Sequence, residues 1–441
     1  MKPYTDRRAR LLAQMEPGSV AVLGTAPEAT RNADTEYPYR HDSSFYYLTG
    51  FSEPEAVLVL VAPRGATAAQ SILFCREKHL ESEIWDGYRY GPEAARAAFG
   101  FDAAFPIGAL DGQMVHHLSN ASALYATLAR GGEEQQRRWI EGVRRLSRSG
   151  ITAPPVLRDL PPLIDEMRMF KDEHESAIML RAGEISAGAH ARAMRYAGAN
   201  RSASAGIHEY ELEAELLHEF RRHGAQFPAY TPIVASGPNA CVLHYNANSR
   251  RIADGDLVLI DAGCELDSYA SDITRTFPVN GRFSPAQREL YELVLAAQQA
   301  AFDAIAPGRR YHDAHDAAVR VLAQGMLDFG LLQGTLDEVL AEKKYTRFYM
   351  HGTGHWIGMD VHDVGLYRDV SPEDKPSRLL QPGMAMTVEP GIYVRPAEGV
   401  PEKYWNIGIR IEDDVIVREN GYQLLTGGAP KTVAEIEALM K

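Results

Sequence analysis

Hydrophobic and polar positions follow two regimes along the chain. In roughly the first 150 residues, short apolar runs alternate with helix-like stretches. Segments 20–23, 56–62 and 71–75 read as strands, and 92–99 and 113–130 as helices. That alternation predicts an α/β domain. Within it, 39–55 (YRHDSSFYYLTGFSEPE) is aromatic-rich, punctuated by Gly50 and Pro54, and reads as a strand and turn facing a partner. The first residues, MKPYTDRRARLLAQMEPGS, carry no apolar run and read as an amphipathic helix rather than a signal peptide. The proline-dense stretch ITAPPVLRDLPP then stops helices and stiffens the chain, which places a boundary between domains 1–165 and 166–441. Beyond it the spacing lengthens. Ile178, Ala182, Ile185 and Ala189 line one face of a helix over 172–195, with Asp172 and Glu173 in its first turn. Further helices are predicted over 209–223, 285–305 and 311–329. Strands are predicted at TPIVAS, at 257–260, at 269–279, in the His351 segment, at 384–389 and at 407–417. Helical runs set against antiparallel strands make this half α+β.

Composition narrows the possibilities. A chain of 441 residues, 45% hydrophobic and 24% charged, can bury a large core in two domains of unequal size. Its net charge of -13 argues against nucleic acid as a ligand. No run of about 18 apolar residues occurs, so no membrane-spanning helix is expected. Cys75, Cys241 and Cys264 form no CxxC pair and no disulfide framework, which fits a soluble, cytoplasmic protein.

The chemistry centres on GDLVLIDAGCELDSYASDITRTFPV. A tight turn at Leu266–Asp267 would set Asp261 opposite Asp272, both on one face of an antiparallel pair. Two carboxylates that close repel unless a cation lies between them; the alternative is a solvated hairpin whose acids happen to align. Further on come His351, His355 and His362 in HGTGHWIGMDVHDVG, Glu389 in TVEPGIY and Glu412 in GIRIEDDV. Gly352 and Gly354 disfavour a helix between the first two histidines and let the backbone pass close to a metal or a substrate. Glu389 precedes Pro390–Gly391, a turn signal. Arg410 and Glu412 share a strand face, either as an ordinary surface pair or with Arg410 holding a ligand in orientation. Two Asp, two Glu and one His suit Mn, Co, Zn or Fe and disfavour Cys264 as a ligand. Trp85, in EIWDG, is expected to pack into the core.

Taken in order, Asp261, Asp272, His355, Glu389 and Glu412, with LHYN around His244 and the flanking segments quoted above, resemble the aminopeptidase P family of metallopeptidases. The N-terminal YRHDSSFYYLTGFSEPEAVLVL and EIWDG are similar to the first domain of that family, so the resemblance spans nearly the whole chain. One departure is visible: HGTGHW stands where the family has a bulkier residue and a serine between the two histidines. The resemblance implies an α/β N-terminal domain followed by an α+β pita-bread catalytic domain. It implies two divalent ions, usually Mn²⁺ with Co²⁺ or Zn²⁺ as alternatives, bridged by Asp272 and Glu412. Asp261 completes one ion, and His355 and Glu389 the other. Glu389 would act as general base on the attacking water. His244 and His362 would orient the substrate and stabilise the tetrahedral intermediate. His351, Tyr393 and Arg410 would receive the second residue of the substrate, a proline. Trp85 would reach the cleft of a neighbouring subunit, making the enzyme a homo-oligomer, a dimer or tetramer. The implied activity is release of the N-terminal residue from Xaa-Pro peptides. Prolidase, an Xaa-Pro dipeptidase, shares both domains and all five ligands; the short segment between Glu389 and Glu412 favours aminopeptidase P. Methionine aminopeptidase lacks so large a first domain, and a metal-free binding module or a creatinase-like enzyme would not need the full ligand set.

Overall fold

The computed structural model describes residues 2–66, 68–128, 131–200 and 206–441, which divide into two compact units at Arg168/Met169. The N-terminal unit is built on six strands: Val20–Gly24 (β1), Val57–Val61 (β2), Gln70–Cys75 (β3), Ala103–Pro106 (β4), Leu124–Ala126 (β5) and Leu157–Asp159 (β6), in the order β4-β3-β2-β1-β5-β6. The continuous apolar run of β2 is explained by its place inside this sheet, where Leu58, Val59 and Leu60 are all buried. Strands β1, β2 and β3 are antiparallel, whereas β4, β5 and β6 join in parallel. Sheet and helices together form an α/β unit.

Three local expectations change here. The 39–55 segment holds a helix, Ser43–Thr49, not a strand. The Asp42 side chain caps it by accepting from Phe45 N at 2.8 Å, Gly50 ends it in the left-handed region at φ 67°, and Phe45, Tyr47 and Leu48 are buried. The predicted helix over 113–130 is a helix, Leu110–Leu118, followed by β5. Asn120 turns the chain at φ 62°, and its side-chain oxygen accepts from Thr152 N at 2.9 Å. Trp85 belongs to a short helix, Leu80–Asp86, and is 87% exposed rather than in the core.

In the C-terminal unit, Glu173–Asn200 (α1) packs with Glu209–Arg222 (α2), and Pro285–Asp303 (α3) with Tyr311–Asp328 (α4). α3 starts with Pro285 in its first turn, behind a capping box made by Ser284 and Gln287. Ile233–Ser236 (β7), Leu257–Asp261 (β8) and Thr274–Pro278 (β9) form one antiparallel sheet. Ala385–Val388 (β10), Asp413–Arg418 (β13) and Gly421–Leu424 (β14) form another, and Gly391–Val394 (β11) pairs with Ile407–Arg410 (β12). Helices and strands share one core, with Ile185, Leu216, Leu290 and Val294 against Val258, Ile260, Val388, Ile409 and Val415. The 351–363 segment is not a strand; it lies along β10 through an isolated bridge, Trp356 to Met386, and scattered backbone hydrogen bonds.

The aspartate hairpin is offset from its expected register. Asp267 and Ser268, both left-handed at φ 47° and 69°, form the turn, so Leu266 faces Tyr269 and Asp261 faces Thr274 rather than Asp272. An offset of two residues preserves the side-chain face, so Asp272 lies diagonal to Asp261 and still projects beside it. Gly263 makes this close pairing possible, because a Cβ there would sit 1.7 Å from the Ser271 carbonyl oxygen. Gly263→Ala is therefore expected to cost about 1–3 kcal/mol or more of stability, in the range of overpacked sites. Denaturant unfolding checks this, and an unchanged midpoint would contradict the pairing described.

Candidate metal centre

Five side chains from separate elements converge on a cleft of about 400 Å³ in the C-terminal unit. Asp261 ends β8, Asp272 lies just before β9, Glu389 follows β10, Glu412 lies between β12 and β13, and His355 comes from the glycine-rich segment. Ligand atoms of Asp272, His355 and Glu412 all lie within 4.8 Å of one another. His355 Nε2 is 3.5 Å from Asp272 Oδ2 and 3.7 Å from Glu389 Oε1. The other ring nitrogen, Nδ1, is 3.0 Å from the Trp356 carbonyl, which fixes the tautomer and aims Nε2 at the carboxylates. His244, His351 and His362 line the same cleft, with the His355 and His362 rings 4.3 Å apart. Gly354 is needed for the approach: a Cβ there would lie 2.1 Å from the Thr387 carbonyl oxygen.

Outer groups hold the carboxylates. Arg410 donates to Asp261 Oδ2 at 2.6 Å, to the Tyr393 hydroxyl at 2.9 Å and to Thr274 Oγ1 at 3.1 Å. The Arg410–Glu412 pairing left open by the sequence is thereby decided in favour of a guanidinium that orients Asp261. Tyr393 also meets His351 Nε2 at 2.8 Å, so His351, Tyr393 and Arg410 form one hydrogen-bonded row. Thr274 Oγ1 donates to Glu412 at 2.6 Å, and the Asp272 backbone N–H donates to Asp414 at 2.8 Å. Tyr230 lies 2.6 Å from Asp261 Oδ1 and against Asp272 Oδ1 as well. Its lone phenolic proton can serve only one of them. Neither Tyr230 nor Asp414 was singled out in the sequence. Tyr230 belongs to no recognisable motif, its one clue being that it shortly precedes the strand paired with β8. Asp414 read as one more acid in GIRIEDDV.

Electrostatics show what the cluster lacks. Burial, and then mutual repulsion, raises Asp272 and lifts Glu412 well above the ordinary carboxylate range. Burial pushes Glu389 up to about 7 against the pull of His355 and Arg410. Burial pulls His355 down, but the Asp272 carboxylate outweighs it and the imidazole rises to about 9. Burial and Arg410 drive His351 down to about 3 and keep it neutral. Asp261, Asp272, Glu389 and Glu412 thus crowd one site whose near cations, Arg410 and His355, do not balance them. An oxygen-rich set with one imidazole and excess negative charge fits divalent cations.

Such a site on an α+β scaffold marks a metallopeptidase. Residues 177–419 match metallopeptidase family M24, and residues 4–125 match the aminopeptidase P N-terminal domain. The chain is 46% identical to an Xaa-Pro aminopeptidase of Escherichia coli, over 99% of this chain and 97% of that one. It superposes with a TM-score of 0.94 on the aminopeptidase PepP of Pseudomonas aeruginosa, at 51% identity over 100% of this chain and 97% of that one. Aminopeptidase P from E. coli, solved with the inhibitor Pro-Leu, gives the same TM-score at 46% identity, covering 100% and 98%. The chain belongs to the aminopeptidase P family, with an α/β N-terminal domain and a pita-bread catalytic domain.

Removing the ions should expose the repulsion. Glu389, ordinarily near 4.5 and raised to about 7, keeps a proton in the fold that the unfolded chain has lost, so its contribution to stability falls as pH rises through that window. His355, ordinarily near 6.5 and raised to about 9, is charged in the fold and neutral when unfolded over that range, and its contribution is also lost with rising pH. Bound cations replace those protons. The rise in thermal midpoint on adding Mn²⁺ to chelator-treated protein is expected to grow between pH 5 and pH 8. Scanning fluorimetry measures it, and a pH-independent rise would contradict the electrostatic account.

Proposed function

We infer that this chain is a metal-dependent aminopeptidase that releases the N-terminal residue of peptides with proline at the second position. The observation that carries the reading is the carboxylate–histidine cluster in one cleft with His351 and Arg410, which Tyr393 joins from behind. We assign Asp261, Asp272, His355, Glu389 and Glu412 as the residues that would hold two divalent ions, most simply Mn²⁺. When bound, the ions supply Lewis acidity and a nucleophilic water near neutral pH.

The protein side chains do the rest. Glu389, just past the end of β10 on the cleft wall, takes the proton of the attacking water and passes it to the leaving nitrogen. His244 and His362, on the cleft wall, orient the scissile carbonyl and donate to the oxygen that gains charge. The neutral His351, with Nδ1 engaged by the Gly352 carbonyl and Nε2 by the buried Tyr393, presents the cleft with a ring that has no free acceptor, as suits a proline, which has no amide hydrogen to donate. Arg410 is fully engaged in holding Asp261 and Tyr393, and acts by keeping that wall and that ligand in register.

We further place the protein in the cytoplasm as a homo-oligomer. Cys75, Cys241 and Cys264 are free and buried, as suits a reducing compartment, and no described helix is long and apolar enough to cross a membrane. Leu80, Ile84, Trp85 and Tyr88 form an exposed apolar patch that a second copy can cover.

The direct assay compares an Ala-Pro-Ala tripeptide with an Ala-Pro dipeptide, using metal-stripped enzyme with and without Mn²⁺. Mn²⁺-dependent release of alanine from the tripeptide is expected; cleavage of the dipeptide alone would make the enzyme a prolidase. Glu389→Ala should lower kcat by about 10²–10⁴-fold, the usual loss of a general base, while Cys264→Ala should leave it unchanged. Trp85→Ala should reduce the mass found by light scattering without lowering the thermal midpoint, and an unchanged mass would remove this patch from the interface.

A further inference from the structure

Thr353 lies between His351 and His355 in sequence, yet it faces away from their cleft into a neighbouring cavity of about 250 Å³ walled by α4. It is 4% exposed, and its Oγ1 is 2.8 Å from His315 Nδ1 and 2.7 Å from the Tyr349 hydroxyl. Burial pushes His315 down to about 4, so near neutral pH its ring is uncharged and Nδ1 can accept. Burial also holds the Tyr349 phenol well above its ordinary value, so it keeps its proton. Each proton is used once, whether the chain of donors runs from Tyr349 through Thr353 to His315 or in reverse.

The same short stretch of backbone carries the chemistry. Glu389 N donates to the Thr353 carbonyl at 2.8 Å, and Thr387 N donates to the His355 carbonyl at 2.9 Å. The Tyr311 hydroxyl donates to the Gly354 carbonyl from the first turn of α4. Residues 353–355 are thus held between the end of α4 and the strand that leads to Glu389. We propose that Thr353 is a positioning residue: clamped by His315 and Tyr349, its hydroxyl sets the placement of the backbone that carries His355 and Glu389. Here the hydroxyl falls at 353, and glycine at 354 lets the chain lie against Thr387.

The inference rests on the roles assigned above to His355 and Glu389. The test uses the full chain with Thr353→Val, Thr353→Ser and His315→Leu, reading kcat and KM on the tripeptide and, separately, Mn²⁺ affinity of metal-stripped protein by calorimetry. Thr353→Val is expected to lower kcat about tenfold with KM within about twofold, and to weaken Mn²⁺ about tenfold, as loss of an outer-sphere partner does. Thr353→Ser should restore both. His315→Leu should repeat the valine effect, and the double variant should be no worse than either alone. Valine with unchanged kcat and Mn²⁺ affinity, or serine as impaired as valine, overturns the proposal. If the valine variant fails to fold, His315→Leu with unchanged kcat and affinity overturns it equally. Wild-type protein that binds Mn²⁺ but never cleaves the tripeptide would sink the functional reading instead, and the calorimetry would still decide the clamp.

Discussion

Four carboxylates pressed into one largely buried cleft cannot all ionise without a counter-charge, and much of the C-terminal unit is arranged to keep them there. Arg410 neutralises Asp261, Thr274 donates to Glu412, and His355 faces Asp272 and Glu389. These partners order the acids but leave net negative charge, which adds to burial in raising Asp272, Glu389 and Glu412. A site kept under such repulsion is stabilised by whatever cation enters it, so metal binding and folding stability are linked here.

Delivery of the acids depends on backbone geometry more than on any single side chain. Asp261 and Asp272 come from one antiparallel excursion, Glu389 and Glu412 from the ends of strands that pair elsewhere, and His355 from a segment with almost no regular structure. Buried ionic anchors support these ends. Arg275 pairs with Asp413 at 2.7 Å, both side chains 0% exposed, and Lys171 pairs with Asp363 at 2.9 Å. Each pair joins segments distant in the chain, so each helps to fix the segment it belongs to. Asp413 sits beside Glu412, and Asp363 beside His362, so the anchors lie next to site residues in the chain.

Much of this was readable in the sequence, and the failures have physical causes. The four acids and the histidine were legible because each stands at a strand end or in a glycine-rich stretch, where side chains reach a cleft. Their shared face was legible even though the register was not. The turn lies at Asp267–Ser268, one residue beyond the expected place, because two adjacent left-handed residues are tolerated there, and strand parity hid the offset. The Ser43–Thr49 helix was hidden by its aromatic content, which suggests a strand; the Asp42 cap and Gly50 stop decide otherwise. Trp85 was expected inside because isolated tryptophans usually are, whereas it stands on a short helix among other exposed apolar residues. Tyr230 and the Thr353 clamp carry no sequence signal, because their partners are distant in the chain and meet them only in the fold.

The pair of divalent ions proposed for this acid cluster can be seen directly. Anomalous diffraction from crystals grown with Mn²⁺ tests it most directly. Two peaks roughly 3.5–4 Å apart, the spacing of dinuclear hydrolases, are expected. Asp272 and Glu412 should touch both peaks, Asp261 one, and His355 and Glu389 the other. A single ion, or ions bound by other residues while these carboxylates stay free, would contradict it.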